Sequence, residues 1–303
     1  MNLLATGAFV QDENDLLPLK ELGFENVYFQ KDERAELVVD PNLIDVVICN
    51  GLFLYRDLDL FPNLKAIQLT SAGLDRVPVE RIRKRGIKLF NARGVYSVPM
   101  AEYVLGAVLN IYKNFPFFHE NQRQKRWEKK RDLRELNGQT VCIVGAGNVG
   151  TEVAKRFKAF ETKTIGVDVV TTPRAPFDKI EPIERLSDVV AEADVVVATL
   201  PLTEQTRGLF DADLFAKFKP GALFVNIARG AVVKEDALIK ALRENRIYAA
   251  ILDVFENEPL DQSSDLWNLE NVLITPHISF VSQNNKGRLY KLSFQILDSW
   301  KMK

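Results

Sequence analysis

Residues 141–150 read VCIVGAGNVG. An apolar, strand-like run leads into Gly145-Ala146-Gly147-Asn148-Val149-Gly150, and residues 151–160, TEVAKRFKAF, continue as a helix. A second strand-like run, KTIGVD, ends in Asp168, about eighteen residues past the last glycine. G-x-G-x-x-G alone is a weak signal. Strand, glycine turn, helix, strand and acid in this order form the fingerprint of a dinucleotide-binding βαβ unit. Gly145 permits the tight turn, Gly147 lets the backbone approach a pyrophosphate, and Gly150 lets the helix pack close to the strand. The N–H groups and positive dipole end of the helix face the phosphates. Asp168 can accept from both ribose hydroxyls and would repel a 2′-phosphate, which favours NAD over NADP; Arg174, a few residues on, works against that preference.

Outward from this stretch the same alternation continues. DVVVATL, ALFVNI, IYAAILDVF and NVLITP follow it as strand candidates. NLLATG, NVYF, DVVIC, KAIQL and IKLF precede it, separated by helical stretches such as ENDLLPLKEL and PVERIRKRG, with Pro78 placed at a first helical turn. Strands alternating with helices mark parallel sheets, so the expected fold is α/β with two Rossmann-like domains. The junction falls between Asn91 and Gly138. Residues 98–118, VPMAEYVLGAVLNIYKNFPFF, read as one long apolar helix that Pro116 ends or kinks, either a core helix or a subunit-packing one. SQNNKGRLYKLSFQILDSW reads as an amphipathic closing helix, with Leu289, Leu292, Phe294, Ile296 and Leu297 as its apolar positions.

Composition excludes several classes. The 303 residues are 47% hydrophobic with a net charge of −1, so nothing draws a nucleic-acid backbone. The basic run at Arg123–Glu135 is interleaved with acids and reads as a solvated helix face or a domain connector. No run approaches the ~20 apolar residues that span a bilayer, and the N-terminus lacks a positive n-region and cleavage site. Cys49 and Cys142 lie in apolar runs and read as buried thiols, with neither disulfide nor metal site expected. A cytoplasmic protein is the expectation.

Three chemistry-bearing residues stand just past strands: Arg229 in NIARG, Glu258 in DVFENEP and His277 in ITPHIS. Ligands of open α/β sheets bind outside the carboxyl ends of the strands, so the three can converge there. An arginine fork holds a carboxylate bidentately. A histidine exchanges a proton with a carbonyl oxygen. A glutamate orients that histidine and balances the charge it gains. Singly, each residue is better read as an ordinary surface charge or a strand-end histidine. His119 has no matching role.

The spaced segments GAGNVG, LPLTEQTRGLF, KPGALFVNIARGAVVKEDALIKAL, LDVFENEPL and NVLITPHIS resemble the D-isomer-specific 2-hydroxyacid dehydrogenase family, as do SAGLD and MAEYVLGAVL. The likeness covers most of the chain. It implies hydride transfer between NAD(H) and carbon 2 of a small 2-keto or (R)-2-hydroxy acid, with Arg229, Glu258 and His277 as anchor, partner and acid/base. It places Asp253 near the nicotinamide and Leu200, Pro201 and Thr206 along the cofactor, with Asn148, Val149, Ile227, Ala228, Arg229 and His277 also on the cofactor path. Asn50, Ala72, Gly73, Leu74 and Tyr96 are expected at the substrate. The implied layout is a substrate domain, 1–97 plus 278–303, into which the NAD-binding domain, 98–277, is inserted. The domains would close on substrate, and a homodimer would form through the 98–118 region. The chain departs from the family at NARGVYSVPMAE, with Arg93 for proline and Tyr96 where asparagine often stands, and at HISFVSQNN, where small residues are common. Both departures fall near the expected substrate pocket. The chain ends at DSWKMK, so the regulatory domain of some phosphoglycerate dehydrogenases is not expected. An NAD(H)-sensing co-regulator or binding protein on the same fold is the alternative.

Overall fold

A computed structural model describes residues 1–10 and 16–301. The chain divides into two compact units, 1–96 with 282–303 and 97–281, so the second is inserted in the first. Both are α/β with parallel sheets.

The first unit runs β1 (Asn2–Thr6), α1 (Leu17–Glu21), β2 (Asn26–Gln30), β3 (Val46–Cys49), α2 (Leu52–Tyr55), β4 (Ala66–Leu69), α3 (Val79–Lys84) and β5 (Lys88–Phe90). The inserted unit runs α4 (Ser97–Tyr112), α5 (Phe115–Arg123), β6 (Thr140–Val144), α6 (Asn148–Lys158), β7 (Lys163–Val167), β8 (Lys179–Glu181), α7 (Leu186–Glu192), β9 (Val195–Ala198), α8 (Ala212–Lys217), β10 (Ala222–Asn226), α9 (Glu235–Arg243), β11 (Ile247–Leu252) and β12 (Val272–Ile274). The chain then returns to the first unit with α10 (Asn285–Lys301).

The first unit's sheet has the order β2-β1-β3-β4-β5, the inserted unit's the order β12-β11-β10-β9-β6-β7-β8. Parallel strands need both faces covered, which is why VVIC, VVVA and ALFVN are buried at every residue. In α6 the buried positions Gly150, Val153, Ala154 and Phe157 recur at helical spacing and dock against the sheet. In α10, Leu289, Ser293 and Leu297 are buried, and the two leucines join Leu3, Ala5, Val46 and Ile48 in the first unit's core.

Several expectations need correction. The 98–118 segment is two helices. Asn114 takes a left-handed φ of 50° between them, and Pro116 lies in the first turn of α5, where its missing N–H costs nothing. The basic run forms no helix after Arg123 and lies wholly within the inserted unit, so it joins no domains. Pro78 precedes α3 as its N-cap residue. Of ENDLLPLKEL, only Leu17–Glu21 is α-helix, and residues 13–15 lie outside the described part.

Candidate active site

In the inserted sheet, β7 and β8 lie to one side of β6, and β9 to β12 to the other. The boundary between β6 and β9 is therefore the topological switch point, where a crevice opens at the strands' carboxyl ends. Gly145 (φ 102°) leaves β6 there, and Thr199 Oγ1 donates to its carbonyl at 2.6 Å. A Cβ on Gly150 would stand 2.1 Å from Gly145 O, so this helix start tolerates no side chain. Gly147 is the N-cap of the 11-residue α6 and has no side-chain cap, which leaves the helix start to accept an anion. Asn148 and Val149 open that helix.

Asp168, past β7, accepts from Ala146 N–H at 2.7 Å and Val170 N–H at 3.0 Å. Arg174 donates to Ala146 O at 2.6 Å, so acid and arginine hold the two successive peptides on either side of Ala146 in the glycine turn. Leu200, Ile227 and Ala228 have core side chains, and only their backbones can line a ligand. Thr206 Oγ1 donates to Pro201 O at 2.7 Å and shapes that loop. The glycine turn, uncapped helix and ribose-side acid fit a dinucleotide.

Arg229, Glu258 and His277 follow β10, β11 and β12, three adjacent strands of this sheet. Asn226, buried at the end of β10, sets the Arg229 loop: its Nδ2 donates to Arg229 O at 3.1 Å and its Oδ1 accepts from Ala228 N–H at 3.0 Å. Gly230 follows with no room for a Cβ, which would lie 1.8 Å from the Phe255 carbonyl carbon. That contact brings the Arg229 loop against the Glu258 loop. Glu258 Oε1 accepts from Phe255 N–H at 3.0 Å, and Oε2 lies 2.8 Å from His277 Nδ1. With Nδ1 engaged, Nε2 is the nitrogen that can meet a ligand. Phe280 packs edge-on to the imidazole, ring centroids 5.8 Å apart.

Asp253 is fully buried at the end of β11, and the bonds it accepts go to the turn carrying His277. This structural work, and the bonds of Asn226 and Thr275, were not read from the sequence. An acid closing the apolar run AAILD and a threonine before Pro-His were the available signals.

Of the expected substrate residues, Arg229 and His277 belong to the inserted unit; Asn50, Ala72, Gly73, Leu74 and Tyr96 belong to the first unit and follow its strands. Asn50 follows β3, and its N–H donates to Glu33 Oε1 at 2.7 Å. Ala72, Gly73 and Leu74 follow β4. Asn91 Nδ2 holds Ala72 O at 2.8 Å, and the Tyr96 hydroxyl donates to Thr70 O. Arg93 N–H donates to Asn91 Oδ1 at 3.3 Å, and its side chain is assigned no role.

Parallel sheet, glycine turn at the switch point and an acid just past β7 define a dinucleotide-binding fold. Residues 105–279 match the family described as D-isomer specific 2-hydroxyacid dehydrogenase, NAD binding domain. A hydroxypyruvate reductase of Thermotoga maritima is 34% identical over 87% of this chain and 86% of its own length. A D-3-phosphoglycerate dehydrogenase of Methanocaldococcus jannaschii is 33% identical over 88% of this chain, which spans only 51% of that protein. A solved D-isomer specific 2-hydroxyacid dehydrogenase family protein from Aeromonas salmonicida superposes with a TM-score of 0.80 at 30% identity, covering 98% of this chain and 96% of that one. The chain belongs to the D-isomer specific 2-hydroxyacid dehydrogenase family. It is an oxidoreductase of the CH–OH group that uses NAD and interconverts 2-keto and 2-hydroxy acids. Among the described residues, no helix is long and apolar enough to cross a membrane.

Proposed function

We propose that this chain reduces a small 2-keto acid of the hydroxypyruvate or glyoxylate type to its (R)-2-hydroxy acid. His277 acts as acid/base, Glu258 as its partner and Arg229 as carboxylate anchor. The carrying observation is the 2.8 Å contact between His277 Nδ1 and Glu258 Oε2, beside Arg229 on the neighbouring strand end. Gly145, Gly147, Asn148, Val149 and Gly150 would hold the pyrophosphate, and Asp168 the ribose, which favours NADH over NADPH.

Bound NADH supplies the hydride. The chain supplies the rest. Arg229 grips the substrate carboxylate through two N–H groups and polarises the adjacent carbonyl. As carbon 2 gains the hydride, the carbonyl π pair becomes an oxyanion, and His277 Nε2 transfers its proton there. Glu258 holds the ring for that transfer and, on return, balances a newly acquired proton. The family resemblance further assigns Asn50, the backbone at Ala72, Gly73 and Leu74, and Tyr96 to substrate binding.

A panel of hydroxypyruvate, glyoxylate, pyruvate and branched 2-keto acids, followed by NADH and NADPH absorbance in parallel, tests substrate and cofactor together. Turnover with none of them would favour a dinucleotide-sensing role instead. His277→Gln should lower kcat roughly 10²–10⁴-fold with NADH affinity retained. Turnover near the unsubstituted level at every pH would end the acid/base assignment.

The chain is further proposed to work as a cytoplasmic homodimer joined through residues 98–118, where Phe115 is 48% exposed. Sedimentation equilibrium should return twice the chain mass, and a monomer mass at assay concentrations would refute the dimer.

A further inference from the structure

We propose that Tyr103 and Thr275 are positioning residues for His277, joined to it through Asp253; the inference rests on His277 being the acid/base. Tyr103 comes from α4, and its hydroxyl lies 2.6 Å from Thr275 Oγ1 across 172 residues of sequence. Thr275 Oγ1 lies 2.6 Å from Asp253 Oδ1. A carboxylate can only accept, so the Thr275 proton points to Asp253. Thr275 has one proton, so Tyr103 must donate to it. The three groups have one consistent order: Tyr103 to Thr275 to Asp253.

Asp253 also holds the far side of the histidine. Its Oδ1 accepts from Ile278 N–H and its Oδ2 from Ser279 N–H, both at 2.8 Å. His277 N–H donates to Thr275 O at 3.1 Å. His277 itself sits at a φ of 54°, a left-handed conformation that residues with a side chain adopt uncommonly. Here one buried carboxylate grips residue 275 on one flank and 278 and 279 on the other. Thr275 spends its single proton on that grip, and Tyr103 fixes the hydroxyl's direction. Burial and the nearby Asp253 charge raise the Tyr103 phenol to about 12, so it stays a donor at working pH. Glu258 can orient the ring only if the backbone beneath it is held, and the Tyr103–Thr275 chain supplies that hold.

The chain has only two histidines, His119 and His277, so the imidazole ¹⁵N signals of each can be followed directly, with His277→Gln giving the assignment. Tyr103→Phe deletes one hydroxyl and should lower kcat roughly 10- to 100-fold through displacement of the ring. NADH affinity by fluorescence titration should hold. The His277 signals should shift or broaden in the substrate-free protein while those of His119 stay. Thr275→Val should do the same, Thr275→Ser should restore both rate and signals, and Tyr103→Phe should add little in the Thr275→Val background. If His277→Gln abolishes turnover while Tyr103→Phe leaves both kcat and the His277 signals unchanged, the positioning role is overturned and the acid/base reading stands. If His277→Gln turns over normally, the acid/base reading fails, and with it this one.

Discussion

Asn226 shows how much of a site can rest on a residue that never meets a substrate. Its amide holds both Ala228 N–H and Arg229 O and so fixes where the guanidinium starts. Replacing that guanidinium tests the proposed anchor directly. Arg229→Lys keeps the charge but loses the planar fork, and kcat/KM should fall roughly 10- to 100-fold with KM raised, as one charge-assisted hydrogen bond is lost. An unchanged kcat/KM in steady-state assays would remove Arg229 from substrate binding. At this scale the sequence was readable where a residue type is dictated locally. Gly145, Gly150 and Asp168 follow from the geometry of a strand–turn–helix. Thr275 and Tyr103 do not, because a bond spanning 172 residues leaves no periodicity or spacing to read. Asp168 was legible as an acid at a strand end, but not as a residue whose two oxygens also brace the glycine turn and the loop after it.

Strands were the most legible elements, since fully buried parallel strands must be continuous apolar runs. Helix ends were less so. Pro116 reads as the end or a kink of one helix, whereas the left-handed Asn114 before it makes it a first-turn residue of a second. The loops after β10 and β11 were legible by their charged residues and not by their contact, which is a backbone-to-backbone approach at Gly230. Gly230→Ala puts a methyl 2.0 Å from Phe255 O and 2.3 Å from Glu256 N, with no flexible side chain to yield. The variant should lose about 3 kcal/mol of stability, at the upper end of overpacking costs. It should also lose turnover, because the Arg229 and Glu258 loops must part. Thermal melting and kinetics on one preparation would check this, and an unchanged Tm would mean that the loops separate without cost.

Burial of titratable groups shapes the whole molecule's response to base. Burial drives Tyr103 and Tyr112 up to about 12 and raises the thiols of Cys49 and Cys142 as well. Between the ordinary and the raised values the unfolded chain holds fewer protons than the folded one, so stability falls as pH rises. The penalty is absent below about pH 8, where both states keep these protons. It grows through the thiol range and then through the phenol range toward 12. Urea midpoints measured from neutral pH upward should decline along that course, and a flat profile to about pH 11 would contradict it.

The order in which the chain is made gives the closing helix a special place. The first unit's sheet is synthesised first, yet Leu289 and Leu297 of its core arrive only after the whole inserted unit has been translated. At about 5–20 residues per second the ribosome takes roughly 10–40 s over that insertion. Through that interval the nascent β1–β5 segment lacks the apolar cover that α10 supplies, so the first unit's core can close only after the inserted unit has been made.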